Sequence, residues 1–333
     1  MNHRGEKYSW SNSVTVRRTS YRIVIAIALA SFASAQTESI GGAAGAAFRM
    51  GFGARGTGMG NALSAVRSGE LNAYYNPSLL PFQSAPVISA TYGLLTLDRR
   101  LNFFSYTKNL KPNAGISLSI INAGVGKIQG RDRDGTPTEL LSTSENAFGL
   151  SFGIQPLSEF SLGVTAKILY FSLYKDVSST TVGLDFGISY FLSDVLTISA
   201  VLQDVNSKYK WDTAKIYGAR SGNATTDLFP VRKRIAASYR EPGLGIIVST
   251  EFESVGSAGF ARIGAEWSAT GQVVLRAGWD QISFSRSVDS KPAFGFSLSQ
   301  PVAGWMATFE YAFVLEPYAS SGFHVFGLNV RID

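Results

Sequence analysis

From residue 86 to residue 331 the chain reads as about fourteen short stretches in which apolar and polar residues alternate. A period of two marks a strand with one apolar and one polar face. The pattern predicts strands at 86–96, 101–109, 114–123, 145–154, 159–173, 179–192, 195–205, 231–241, 244–253, 259–268, 272–281, 291–299, 304–313 and 322–331. Their connections sort by parity. Those after even-numbered strands are short (110–113, 155–158, 193–194, 242–243, 269–271, 300–303). The long ones follow odd-numbered strands (124–144, 206–230, 282–290, 314–321). Long loops at one end and tight turns at the other are the pattern of a transmembrane β-barrel. Closure leaves no unpaired strand edge in lipid. The expected fold is therefore all-β, an antiparallel transmembrane barrel of about fourteen strands over 86–333. A soluble sandwich also alternates, but the strand number here is large, and many apolar stripes end in Trp, Tyr or Phe as interfacial girdles do.

The alternation shows in individual segments. Phe160, Leu162, Val164, Ala166, Ile168 and Tyr170 share one face, opposite Ser161, Gly163, Thr165 and Lys167. Ala261, Ile263, Ala265 and Trp267 oppose Arg262, Gly264 and Glu266. A helical membrane protein is excluded, because a spanning helix needs about 20 apolar residues. The longest apolar run, 23–30, is too short to span, and mean hydropathy is only +0.08.

That run follows a basic stretch (Arg4, Lys7, Arg17, Arg18, Arg22) and precedes Ser31-Phe32-Ala33-Ser34-Ala35, an A-x-A cleavage pattern. Residues 1–35 are thus expected to be a signal peptide. Without them the net charge falls from +6 to +2, which gives no reason to expect nucleic acid as a partner. The chain has no Cys and two His, His3 and His324, so thiolate chemistry and a His-rich metal site are unavailable. No cofactor is expected.

Residues 36–85 lack alternation and are rich in small residues, with glycines at 41, 42, 45, 51, 53, 56, 58 and 60. Small side chains let backbone pack closely. This segment is expected to be a compact plug inside the barrel, with a short helix or turn over 62–70 that ends before Asn76-Pro77.

Gly53-Ala54-Arg55-Gly56-Thr57-Gly58-Met59-Gly60-Asn61-Ala62, followed by Asn76-Pro77-Ser78-Leu79-Leu80, resembles the start of PorV/PorQ family barrels, which are FadL-like. Leu202-Gln203-Asp204-Val205-Asn206-Ser207-Lys208-Tyr209-Lys210-Trp211-Asp212-Thr213 ahead of Phe229-Pro230, and Tyr311-Ala312-Phe313 with His324 beyond, extend the resemblance over most of the chain. It implies a fourteen-stranded outer-membrane barrel with Arg55, Gly58, Met59, Gly60, Asn61, Asn76 and Pro77 in a luminal segment. It also implies one of two roles. The first is work in type IX secretion, with secretion-system proteins or exported cargo as partners. The second is FadL-like passive transport of hydrophobic ligands. Transport requires apolar side chains on the inward face near the outer rim. The inward residues readable from the sequence are mostly small or charged, which favours the secretion role. Outer-membrane lipid is a partner under both.

No catalytic constellation is legible. The glycine-rich run has no strand leading into it, as a nucleotide loop would need. Asp132 and Asp134 lack the remaining ligands of a calcium loop. His324 has no marked Ser partner for a triad, so a hydrogen bond in the lumen or at the rim is its expected role. The polar strand faces carry Lys167, Asp185, Arg262, Glu266, Arg276, Asp280 and Glu310, expected as an ion-pair ladder or a gate against Arg55. In the 206–230 loop, Tyr209, Trp211, Tyr217 and Phe229 stand among basic residues and are expected either as an exposed partner-contact surface or as a rim anchor or folded-over lid.

Overall fold

The structure, a computed structural model, describes residues 42–71, 73–256, 258–283, 289–317, 319 and 321–332. The expected signal peptide at 1–35 lies outside them.

Among the described residues sixteen strands form, and fourteen of them close a barrel. In chain order the strands are β1 (Val87–Leu94), β2 (Arg99–Leu110), β3 (Ala114–Arg131), β4 (Pro137–Leu157), β5 (Phe160–Tyr174), β6 (Val177–Phe191), β7 (Leu196–Val205), β8 (Lys208–Asp212), β9 (Ala224–Leu228), β10 (Arg232–Glu241), β11 (Ile246–Val255), β12 (Ala258–Ser268), β13 (Val273–Ser283), β14 (Lys291–Val302), β15 (Trp305–Val314) and β16 (Phe323–Arg331). Each barrel strand pairs antiparallel with its neighbours, and β1 closes on β16 with Val87 opposite Arg331. β8 and β9 form a separate hairpin between β7 and β10.

All fourteen wall strands lie where alternation places them. The outward faces carry Leu118, Leu150, Val182, Phe294 and Trp305, each about half exposed, as side chains in contact with lipid would be. The inward faces of the wall strands carry buried Ser117, Ser151, Thr165, Ser189 and Ser199. This is a transmembrane barrel.

Two long connections differ from expectation. Much of 124–144 is not loop: β3 and β4 run on to 18 and 21 residues as one tall hairpin, with Val125 opposite Thr143 and Ile128 opposite Leu141. Gly124, Gly126 and Gly130 blur the alternation there, so the sequence pattern does not mark these residues as strand. The 206–230 connection folds into β8, the single helical turn α2 (Ala214–Tyr217) and β9. The end of the barrel that bears these long connections is its outer end.

The N-terminal segment runs through the bore. A 3-10 turn at Ala47–Arg49 is followed by a short helix, α1 (Ala54–Gly58), and a second 3-10 turn at Pro77–Phe82 leads to β1. Of the helix or turn expected over 62–70, the turn is what forms. The helix sits earlier, at α1. The wall, rather than local propensity, decides this, because α1 packs along β13 to β16. Asn76 caps the second 3-10 turn: its Oδ1 accepts from the Ser78 N–H at 2.9 Å, and Pro77 occupies the first position.

Candidate functional site: an apolar chamber above a charged bore

The glycines of the N-terminal motif mark contact between plug backbone and wall backbone. A Cβ on Gly278 would lie 2.1 Å from the Gly60 nitrogen, and one on Gly60 would lie 2.5 Å from the Trp279 nitrogen. Gly264 meets the Met59 carbonyl in the same way at 2.3 Å. Gly60 and Asn61 both take left-handed backbone, at φ 59° and 62°. Gly58 lies against Gly295 and Ala312.

Polar side chains fix this contact. Arg55 makes a two-pronged pair with Glu266: Nε donates to Oε2 and Nη2 to Oε1, both at 2.9 Å. Its Nη1 donates to the Ser68 and Glu70 carbonyls. Asn61 donates to Asp280 Oδ2 at 2.8 Å and accepts from the Tyr75 hydroxyl at 2.7 Å. Asn76 donates to the Ser64 carbonyl and to Ser189 Oγ. The Pro77 carbonyl approaches the Gly153 and Gly163 positions on the opposite wall.

The luminal charges pair in three clusters, around Glu266, around Arg262 and around Lys167. Arg276 donates to Glu266 Oε2 at 2.7 Å and reaches Glu310 at 3.1 Å. Arg262 spans Asp280 at 2.6 Å, Glu251 at 2.8 Å and Glu253 at 2.6 Å. Arg232 holds Glu253 through two nitrogens, at 2.8 and 3.0 Å. Lys167 sits between Asp185 at 2.7 Å and Asp204 at 2.6 Å. Arg232, Arg234, Glu251 and Glu253 of the second cluster and Asp204 of the third are not among the charges expected from the sequence. The first four had a visible signal: like charges two residues apart on adjacent strands. Arg234 stands opposite Glu253 in the β10–β11 register.

Above these clusters the lining changes character. The outer half of the inward face carries Leu101 and Phe103 of β2, Ile121 and Ala123 of β3, Leu169 of β5, Val314 of β15, and Phe323 and Val325 of β16. Phe48 and Phe52 of the N-terminal segment fill the space, with Phe52 6.0 Å from Phe103 and 4.9 Å from Tyr74 between ring centres. The inward face near the outer rim is therefore apolar, contrary to the expectation of mainly small and charged residues.

The β8–β9 hairpin roofs this chamber. Tyr209, Trp211 and Phe229 are buried, and only Tyr217 of the four loop aromatics is exposed, at 66%. An exposed surface made of all four does not exist. Once the hairpin docks on β6, the alternation of β8 turns Tyr209 and Trp211 inward. There the Lys210 N–H donates to Ser179 Oγ at 2.8 Å, and the Thr181 hydroxyl donates to the Lys208 carbonyl. Tyr209 packs on Phe229 and Phe171, with ring centres 4.9 and 5.0 Å apart. Phe229 in turn stacks on Phe48 at 6.3 Å. The Trp211 indole donates to Asp227 at 2.6 Å. Burial, followed by the nearby Glu145 carboxylate, raises the Tyr209 pKa well above its ordinary value, so the hydroxyl remains a donor.

Two further candidates have local roles. Asp132 Oδ1 accepts from the Asp134 and Thr136 N–H groups, closing the exposed tip of the tall hairpin. His324 Nδ1 lies 2.8 Å from the Tyr311 hydroxyl and beside Phe313, on strand positions that alternate with the buried, inward Phe323 and Val325. It belongs to the outward aromatic rim.

The backbone path of this barrel matches solved outer-membrane channels. The toluene transporter TodX of Pseudomonas putida superposes with a TM-score of 0.59 at 12% identity, covering 84% of this chain and 96% of TodX. The fold is FadL-like. The toluene transporter TbuX of Ralstonia pickettii gives 0.57 at 13% identity, covering 85% and 99% of the two chains. A FadL homologue of Pseudomonas aeruginosa gives 0.54 at 11% identity, covering 84% and 97%. No protein-family model and no curated protein sequence matches the chain.

Proposed function

We propose that this protein is a passive channel for hydrophobic small molecules in an outer membrane. One observation carries the reading: the outer half of the bore is an apolar chamber, roofed by Tyr209, Trp211 and Phe229 and filled by Phe48 and Phe52. A barrel that served only as a scaffold would have no use for a greasy compartment beneath an aromatic lid. Apolar solutes enter such a compartment because each buried CH2 gains about 0.8 kcal/mol. The likeness to barrels described as toluene transporters supports the same reading.

The chain's own residues suggest how passage is controlled. The lid hairpin stands outside the closed ladder of the wall, held to it by the Tyr209, Lys210 and Thr181 hydrogen bonds, so it is the element that opens to the outside. Below the chamber, the Arg55–Glu266 and Asn61–Asp280 contacts keep the plug seated, and the wall is hydrogen-bonded all the way round. Onward passage therefore requires the segment carrying Phe48 and Phe52 to shift. The secretion role loses the exposed aromatic surface on which it relied, and only the sequence resemblance supports it.

Uptake of labelled toluene into cells expressing the protein, compared with cells lacking it, tests the reading. Faster toluene entry, with sugar entry unchanged, is expected. Unchanged toluene entry, together with recovery of exported proteins in a pull-down from outer membranes, would replace transport with the secretion role.

A further inference from the structure

Between the apolar chamber and the serine- and threonine-lined bore lies a cavity of about 30 Å³, room for one water-sized group. Its walls include Phe48, Ile121 and Leu169 on the apolar side and Lys167, Gln203 and Asp204 on the polar side. Gln203 is 2% exposed, and its Nε2 donates to the Tyr74 carbonyl. Its Oε1 has no hydrogen-bond partner. Lys167 has three N–H donors. Two of them serve Asp185 and Asp204, which leaves one. The cavity thus presents one unspent acceptor and one unspent donor next to an aromatic ring.

Among the described residues, no cation lining it is left without a carboxylate. Lys167 has Asp185 and Asp204, and Arg232 has Glu253. A ligand carboxylate placed here would be an uncompensated buried anion. A hydroxyl would accept from Lys167 and donate to Gln203 without adding charge.

We propose that the chamber selects neutral hydrophobic molecules carrying a hydroxyl group, such as one-ring phenols, over plain hydrocarbons and over carboxylates. This inference rests on the transport reading and names the ligand class of the same chamber. The hydroxyl takes the cavity at Gln203 and Lys167. The apolar body takes space that Phe48 now fills, so binding displaces the N-terminal segment.

The test is calorimetric titration of the detergent-solubilised full chain at neutral pH with p-cresol, toluene and p-toluate, which share a methylated ring. One neutral hydrogen bond is worth about 1 kcal/mol, and one to a charged group somewhat more. The ratio of p-cresol to toluene affinity should therefore fall about fivefold in Gln203→Met, a variant of similar volume that leaves the Lys167 bond in place. Asp185→Asn together with Asp204→Asn supplies a gain of function: the double change frees Lys167, and Asn tolerates the left-handed backbone at position 204 (φ 62°). In that variant p-toluate affinity should rise about tenfold or more. Toluene binding with a p-cresol ratio unchanged by Gln203→Met, or wild-type preference for p-toluate, overturns the selectivity while leaving transport standing. Failure of all three probes to bind overturns both.

Discussion

Replacing Arg55 with Ala should loosen the plug without unfolding the barrel. Arg55 is 5% exposed, and four hydrogen bonds tie it to the wall and to its own segment: two to Glu266, one to Ser68 and one to Glu70. Breaking a buried ion pair by removing one partner costs about 3–5 kcal/mol, because the other charge is stranded. Glu266 is not fully stranded, since Arg276 still holds Oε2 at 2.7 Å. The lower end, about 3 kcal/mol, is therefore the expected cost. The wall keeps its full ladder, so that cost falls on plug release. A drop of about 3 kcal/mol in local opening free energy accelerates exchange of the protected plug amides by about a hundredfold. Hydrogen exchange read by mass spectrometry on peptides covering 54–66 and on wall peptides measures this. Arg55→Lys keeps the charge but loses the fork and should give an intermediate rate. Exchange in 54–66 that is unaltered, or that accelerates equally throughout the wall, would refute the idea that this pair seats the plug.

Three other outcomes follow from the geometry. Gly278→Val should prevent the plug from seating, because even a Cβ there meets the Gly60 nitrogen at 2.1 Å; limited proteolysis within 54–66 should rise while heat-modifiable gel migration of the barrel persists. Phe229→Ala removes the ring that links lid to plug, a loss of about 3–5 kcal/mol for a buried Phe, so toluene entry should increase and Trp211 emission should shift to the red as water reaches it. Leu150→Arg places a charge on the lipid face, where such changes cost about 2–4 kcal/mol at mid-depth; refolding into lipid vesicles should weaken by that amount, whereas a water-soluble barrel would tolerate it.

The wall was legible in the sequence because lipid on one side and polar bore on the other impose a strict two-residue period. Leu162, Val164 and Ile168 against Ser161 and Thr165 cannot be satisfied by another arrangement in a membrane. Some luminal charges, such as Arg262 and Glu266, were legible for the same reason, since a charge opposite a greasy stripe must point inward, whereas Arg232 and Glu253 were not. The glycines of the N-terminal motif signalled close packing, though not against what. Tertiary structure alone decided the rest. Whether Tyr209, Trp211 and Phe229 face a partner or roof the bore depends on where the hairpin docks, and no local pattern encodes that. The apolar chamber was hidden because its lining comes from many strands, one or two residues from each, at positions where an inward Leu101 or Ile121 reads like any other break in alternation. Periodicity reports the two sides of a strand. The height of a residue in the bore depends on register and shear, which are fixed only when the last strand meets the first.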